Sequence, residues 1–354
     1  MRVKASCCSG GALLAILLSA AACIRLLYMI AWILACGDPQ PRSASAWTET
    51  CRAECITGSG AVPRLVHFIQ IGDDLAFHHW LSVMSAIKFV RPLQVTVHHR
   101  GIQTTCWAQR IRDHPLVKFV PIDSDRIPER VNCHRVEQPA HHSDFLRVAL
   151  LWQHGGVYMD LDTILTKPLD DLLADEEAVA SYEMNDRVAV GVLIARARTC
   201  VMCDFGRGMY GRFDGTWSAH SVFLLTDMLY RRSAHEERPA RYPGVKLLPY
   251  ETGFYPYSWY DDHLVQIFER DARESGFEPP NVYALHLYSS SAKRRYLENM
   301  TYDTVMRGQH TPFALVARQV LPASFLPEHM MTSTAAAASD SSCSKIPLND
   351  DAVA

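Results

Sequence analysis

Residues 139–162 read Pro-Ala-His-His-Ser-Asp-Phe-Leu-Arg-Val-Ala-Leu-Leu-Trp-Gln-His-Gly-Gly-Val-Tyr-Met-Asp-Leu-Asp. The pattern predicts a helix, a glycine turn and a strand that ends in two carboxylates. Pro139 suits a helix start and Gly155 a helix stop. Between them Phe145, Leu146, Val148, Ala149, Leu150 and Trp152 make the helix apolar nearly all round, as in a buried element. Asp144 and Arg147 lie three apart within it and so share a face. From Gly156 the residues alternate: Val157, Met159 and Leu161 point one way, Tyr158, Asp160 and Asp162 the other. Two acids on one side of a strand end repel each other unless a cation or a proton lies between them. That pairing marks a site.

The flanking sequence sets this element in a sheet. Residues 62–72 form a short apolar run that ends in glycine, a first buried strand. A helix over 76–90 follows, with Phe77, Trp80, Leu81, Met84 and Ile87 on one side. Strands at 93–98 and 116–122 enclose a helix at 104–113. This alternation predicts an α/β fold, a mostly parallel sheet with helical crossovers, which binds ligands beyond the carboxyl ends of its strands.

The coupled run Ser143-Asp144-x-x-Arg147 through Gly155-Gly156-x-Tyr158-x-Asp160-x-Asp162 resembles the sugar transferases with a DXD motif. That family holds fungal initiation-specific alpha-mannosyltransferases, inositol-phosphorylceramide mannosyltransferases and animal alpha-1,4-galactosyltransferases. A lone Asp-x-Asp carries little information, but five features at fixed spacing carry much more. The resemblance covers roughly residues 62–290 and implies a single catalytic domain of GT-A type. It further implies a UDP- or GDP-linked sugar donor, a glycan or glycolipid acceptor and retention of anomeric configuration. No nucleophile is identifiable in the residues.

By the same resemblance, Asp160 and Asp162 hold the metal and serve catalysis. Asp144, Arg147, Gly156 and Tyr158 face the donor sugar. The first strand, at His67, Phe68 and Ile69, flanks the nucleotide, although His67 reads equally as a hydrogen-bonded core histidine. His286, in Ala284-Leu285-His286-Leu287-Tyr288-Ser289-Ser290-Ser291, matches a closing motif and approaches the metal or diphosphate. All-oxygen, partly hydrated coordination favours Mn2+ or Mg2+. Lys293, Arg294 and Arg295 read either as a diphosphate clamp or as a basic surface patch. Where several relatives carry Gly-Pro, this chain has Ala219-His220-Ser221, a departure on the acceptor side.

Composition is ordinary for a globular protein: 48% hydrophobic, 21% charged, net charge −3. No basic excess points to nucleic acid. Arg2 and Lys4 precede an apolar run over 10–36, long enough to span a membrane, with Arg25 inside it. An uncleaved signal anchor is the preferred reading, a cleaved signal peptide ending near Ala20-Ala21-Ala22 the other. The anchor leaves 1–9 cytosolic and the rest in the lumen of the Golgi or ER, a type II topology. Residues 37–61 then read as a stem, 62–325 as the catalytic domain and 326–354 as a disordered tail. Seven of the 11 cysteines follow the anchor, and Cys200-x-x-Cys203 reads as a structural disulfide or two buried thiols. The sequon Asn299-Met300-Thr301 agrees with a lumenal placement.

Past the motif, the acids at 170–177 read as a solvated helix face. Strands follow at 178–183 and 188–196, then helices at 199–210 and 219–231. The aromatic run 245–263 suits either sugar stacking or core packing. Two rivals stay open at this point: a carbohydrate-binding pseudoenzyme of the same fold, and a metal-dependent phosphodiesterase using the same acids.

Overall fold

The computed structural model describes residues 42–321, apart from 59, 73, 102–103, 124–126, 185–186, 230–240 and 307–309. The segments assigned above to cytosol, membrane anchor and tail therefore lie outside the described residues. Among the described residues no helix is long and apolar enough to cross a membrane.

In chain order the main elements are α1 (Arg42–Glu54), β1 (Leu65–Ile71), α2 (Phe77–Val90), β2 (Gln94–Arg100), α3 (Cys106–Asp113) and β3 (Val117–Pro121). Then come α4 (Pro139–His154), β4 (Gly156–Met159), β5 (Thr163–Leu165), β6 (Ala178–Glu183), β7 (Arg187–Ala195) and α5 (Cys200–Arg212). A π-helical turn, Ala219–Phe223, leads into α6 (Leu224–Leu229). It is followed by β8 (Val245–Leu248), α7 (Asp261–Phe268), β9 (Ala284–His286) and α8 (Pro312–Val320).

Seven strands form one sheet in the order β8-β6-β7-β4-β1-β2-β3. All run parallel except β7, which is antiparallel to both β4 and β6. Strand alternation sends Val66, Phe68, Val157 and Met159 into an apolar layer with α2 and α8. Ile69 and Tyr158 go to the opposite layer with α4 and α5. Both faces are covered, which is why these strands read as near-continuous apolar runs. The result is a mostly parallel, helix-flanked sheet in a single domain, the α/β class the sequence predicts.

The glycine pair behind the motif is demanded by contact. Gly155 and Gly156 have φ of 65° and 106°. A Cβ on Gly156 would lie 2.4 Å from the Leu65 carbonyl oxygen, and one on Gly155 2.6 Å from the Ala197 nitrogen. Only glycine lets the chain leave α4 and enter β4 this closely against β1.

Three local expectations need correction. The alternation past Gly156 is not one strand: β4 ends at Met159, and a turn closed by Thr163 N–H on the Asp160 carbonyl (3.0 Å) carries Asp160 to Asp162. The stretch read as a stem contains α1, tied to α5 by disulfides Cys51–Cys203 and Cys55–Cys200. Cys200 and Cys203 are thus both disulfide-bonded, but to α1 rather than to each other. Finally, the aromatic run 245–263 opens with an edge strand, Val245–Leu248, that its composition did not announce.

Candidate active site

The carboxyl ends of β1 and β4 open into a cleft of about 770 Å³, within the range of small-molecule sites. Asp144, Arg147, Tyr158, Asp160, Asp162 and His286 all line it. They arrive from three directions. The second face of α4 supplies Asp144 and Arg147, while β4 and its turn supply Tyr158 and the two acids. β9 runs antiparallel to β5, with His286 opposite Thr163, and so delivers the imidazole beside Asp162.

Each acid is held by one oxygen and presents the other. Tyr158 Oη donates to Asp160 Oδ1 at 2.6 Å, and the backbone N–H of Ser289 donates to Asp162 Oδ2 at 2.7 Å. His286 Nε2 lies 3.4 Å from Asp162 Oδ1 and 3.8 Å from Asp160 Oδ2. Ligand atoms of the three residues all fall within 4.8 Å of one another. Two carboxylates and an imidazole at this spacing fit a divalent cation, and the fixed outer hydrogen bonds are what such ligands need to stay oriented. Gly191 completes the pocket floor. A Cβ there would stand 2.7 Å from Asp160 Oδ2 and 3.2 Å from His286 Nε2, so a side chain would displace the cluster.

Arg147 is buried and organises the acids. Its Nη2 lies 3.2 Å from Asp144 Oδ1 and 3.4 Å from Asp160 Oδ1, and Nη1–H donates to the Val190 carbonyl at 2.6 Å. The guanidinium also stacks over the Tyr158 ring at 4.5 Å. Burial pushes the Asp160 carboxyl up, but Arg147, with His286 and Tyr158, outweighs it and holds the group below the usual carboxylate range. Burial likewise lowers His286, yet the charges of Asp162 and Asp160 win and leave it raised. On the far side of Asp144, fully buried His220 brings Nε2 to 3.1 Å from Oδ2, from within the π-helical turn. Such turns recur at functional sites.

Several expected residues stand elsewhere. Ile69 lines the cleft, together with Gln70, but Phe68 is buried in the apolar layer on the other face. His67 points away from the cleft: its Nε2 is 3.1 Å from the Gly155 carbonyl, and it lines a second cavity of about 360 Å³ with His98 and His154. Alternation along β1 sends Phe68 to the opposite face, whereas His67 and Ile69 share a face and differ by position along it. Ile69 stands near the carboxyl end at the cleft, His67 two residues back against the turn after α4. Gly156 does not line the cleft and acts through its backbone. Ser289, Ser290 and Ser291 line it; Lys293, Arg294 and Arg295 do not, and Arg295 is paired with Glu269 at 2.5 Å. The acid Asp170 is bound to Arg64 and Arg91, outside the site. The aromatic run divides, with Phe254, Tyr255 and Tyr257 buried while Trp259 and Tyr260 are exposed. Tyr255 accepts from Val192 N–H at 2.6 Å and lines the cleft. Glu183, Arg187, His79 and Trp217 also line it without having been expected. Glu183, Arg187 and His79 lie at element ends and Trp217 between elements, where no periodicity singles them out.

The chain is similar to several known proteins. The profile of the glycosyltransferase sugar-binding region containing the DXD motif matches residues 93–179. A lactosylceramide 4-alpha-galactosyltransferase of Pongo pygmaeus is 34% identical over 161 residues, spanning 43% of this chain and 68% of that protein. Glucan organizing enzyme 1 of Cryptococcus neoformans var. grubii is 24% identical and spans 71% of this chain and 68% of its own. Among solved structures, the glycosyltransferase GlyE of Streptococcus pneumoniae TIGR4 superposes with a TM-score of 0.39. It is 14% identical, over 73% of this chain and 60% of that one. The profile match, the relative matched over two thirds of its length and the coupled helix–turn–acid run converge on one assignment: the chain belongs to the glycosyltransferase family with a DXD-containing sugar-binding region, and it is a transferase.

Proposed function

We propose that this protein moves a hexose from a UDP- or GDP-linked donor to a glycan or glycolipid acceptor, with retention of configuration, using Mn2+ or Mg2+. The observation that carries the reading is the convergence of Asp160, Asp162 and His286 in the cleft, beside the buried Asp144–Arg147 pair. A divalent cation held by the three residues would supply Lewis-acid neutralisation of the charge that grows on a departing diphosphate. Asp144, with one oxygen toward Arg147 and the other toward His220, is fixed to accept from donor-sugar hydroxyls. Arg147 bridges Asp144 to Asp160 and so couples the sugar subsite to the cation subsite. Ile69 and Gln70, at the end of β1, form the wall for the nucleotide. Retention rests on family likeness.

We also propose a lumenal placement in the Golgi or ER, behind a membrane anchor over 10–36 and with catalysis in 62–325. Two disulfides joining α1 to α5 support an oxidising compartment.

The test is a panel of UDP- and GDP-linked hexoses, assayed for hydrolysis and transfer with Mn2+ or with chelator. One donor should be consumed, and only with the metal. Asp162→Asn should lose that activity while keeping its circular dichroism spectrum. Metal-independent turnover, or near-normal turnover by the variant, would overturn the reading.

A further inference from the structure

The cleft has a rim that the acids do not require. Trp217 and Trp259 both line it, and they are 60% and 46% exposed. Among the described residues seven large apolar side chains are exposed, and four of them gather here. Tyr260 (45% exposed) stacks on Trp259 with ring centroids 4.3 Å apart. Phe223 (38% exposed) lies under the guanidinium of Arg187, itself a lining residue, at 4.8 Å. Scattered exposed aromatics are ordinary; a group around one opening marks a binding surface.

The chemistry of the rim indicates its occupant. Indole faces offer flat apolar area with a polar edge, which matches the C–H face and hydroxyl rim of a pyranose. Ser218, Ser221, Glu183 and Arg187 stand among them as hydrogen-bonding groups of both senses. Position then separates donor from acceptor. The nucleotide wall belongs to β1 and the donor-sugar acids to α4 and the β4 turn. Both tryptophans come from segments after β7, one ahead of the π-helical turn and one ahead of α7. A transferase needs a second substrate within reach of the first, and this is the part of the cleft the donor reading leaves unassigned.

We propose that Trp217 and Trp259 form the acceptor subsite, a stacking platform for a pyranose ring whose hydroxyl is presented to the donor held at Asp160 and Asp162. The proposal rests on the function proposed above and names the class of its second substrate. A free oligosaccharide and the headgroup of a glycolipid present the same ring, so the platform serves either.

The full chain is tested with Mn2+ and the donor found by the panel, against p-nitrophenyl α- and β-glycosides of glucose, galactose, mannose and N-acetylglucosamine. A parallel arm uses lactosylceramide in phosphatidylcholine vesicles. The readout is the partition of donor between glycoside and water. Trp217→Ala and Trp259→Ala should each lower that ratio about tenfold, as expected for one lost stacking face. Trp217→Phe and Trp259→Phe should recover most of it. Loss with soluble glycosides as well as vesicles identifies the ring; loss in vesicles alone makes the tryptophans a membrane contact and overturns the proposal. An unchanged ratio overturns it, and so does a ratio held constant because hydrolysis and transfer fall together, which puts the tryptophans on the donor side. A wild-type chain that hydrolyses donor but transfers to no glycoside refutes the platform alone. A chain that consumes no donor refutes the proposed function, and the platform falls with it.

Discussion

Replacing Arg147 tests the architecture of the site most directly. Its guanidinium stands 3.2 Å from Asp144 and 3.4 Å from Asp160, with all three groups largely withdrawn from water. At an effective dielectric of about 20, each pair is worth roughly 5 kcal/mol of Coulomb attraction. Desolvation cancels much of that in the native protein. In Arg147→Met the desolvation stays and the attraction goes, so the loss should be about 3–5 kcal/mol. For a domain of this size that corresponds to a fall in Tm of about 10 °C. Arg147→Lys keeps the charge but not the planar fork, cannot serve Asp144, Asp160 and the Val190 carbonyl together, and should lose about half as much.

The pH dependence gives the sign. In the native protein the Asp160 carboxyl sits below its ordinary value, so its contribution is present above the unfolded pKa and is lost as pH falls through the folded one. Without Arg147 the largest charge opposing burial is gone, leaving only His286 and Tyr158 against it, so the group moves up. The deficit of Arg147→Met should then be full at pH 7.5 and shrink toward pH 5 as the acid protonates. Scanning calorimetry in chelator at pH 7.5, 6 and 5 measures both effects. A loss below about 1 kcal/mol, or a deficit equal at all three values, would show that the arginine does not hold the acids as described.

Three further outcomes follow from the geometry. Gly191→Ala places a methyl 2.7 Å from Asp160 Oδ2, and donor turnover should fall roughly 100-fold with little change in Tm, read by steady-state kinetics alongside thermal unfolding. His67 is buried and held down to about 4, so stability should be full above its unfolded pKa near 6.5 and fall by about 3 kcal/mol as pH drops to 4. His67→Gln should flatten that slope in a Tm series from pH 4 to 7.5. Removing both inter-helix disulfides with Cys51→Ser and Cys55→Ser opens a loop of about 150 residues. The first bridge accounts for about 5 kcal/mol and the second, closing a much smaller ring, for about half that; denaturant unfolding checks the sum.

The sequence was most legible where one element decides its own structure. Pro139 and Gly155 bound α4 as expected, and the coupled spacing brought Asp144, Arg147, Tyr158, Asp160 and Asp162 to one cleft. What remained hidden depended on partners remote in the chain. The strand appeared to run to Asp162 because Leu161 keeps the alternation, yet β5 leaves the main sheet to pair with β9. Of the two readings open for His67, the structure matches the hydrogen-bonded buried histidine, held to the Gly155 carbonyl and facing the second cavity, a contact set by residues remote in the chain. The helix at Arg42–Glu54 lies in Pro-, Ser- and Ala-rich sequence with no clear apolar stripe, and the bonds of Cys51 and Cys55 to α5 are invisible from local pattern. Trp217, between elements, carries no periodic signal at all.

The two sulfur bridges also impose an order on biosynthesis. Their partners are separated by 152 and 145 residues, so α1 emerges from the ribosome long before anything exists to receive it. Until Cys203 has been made, Cys51 and Cys55 wait as neighbouring thiols one helical turn apart, open to joining each other instead. Production of this enzyme in a heterologous host should therefore depend less on the supply of oxidant than on isomerase able to undo that early mistake.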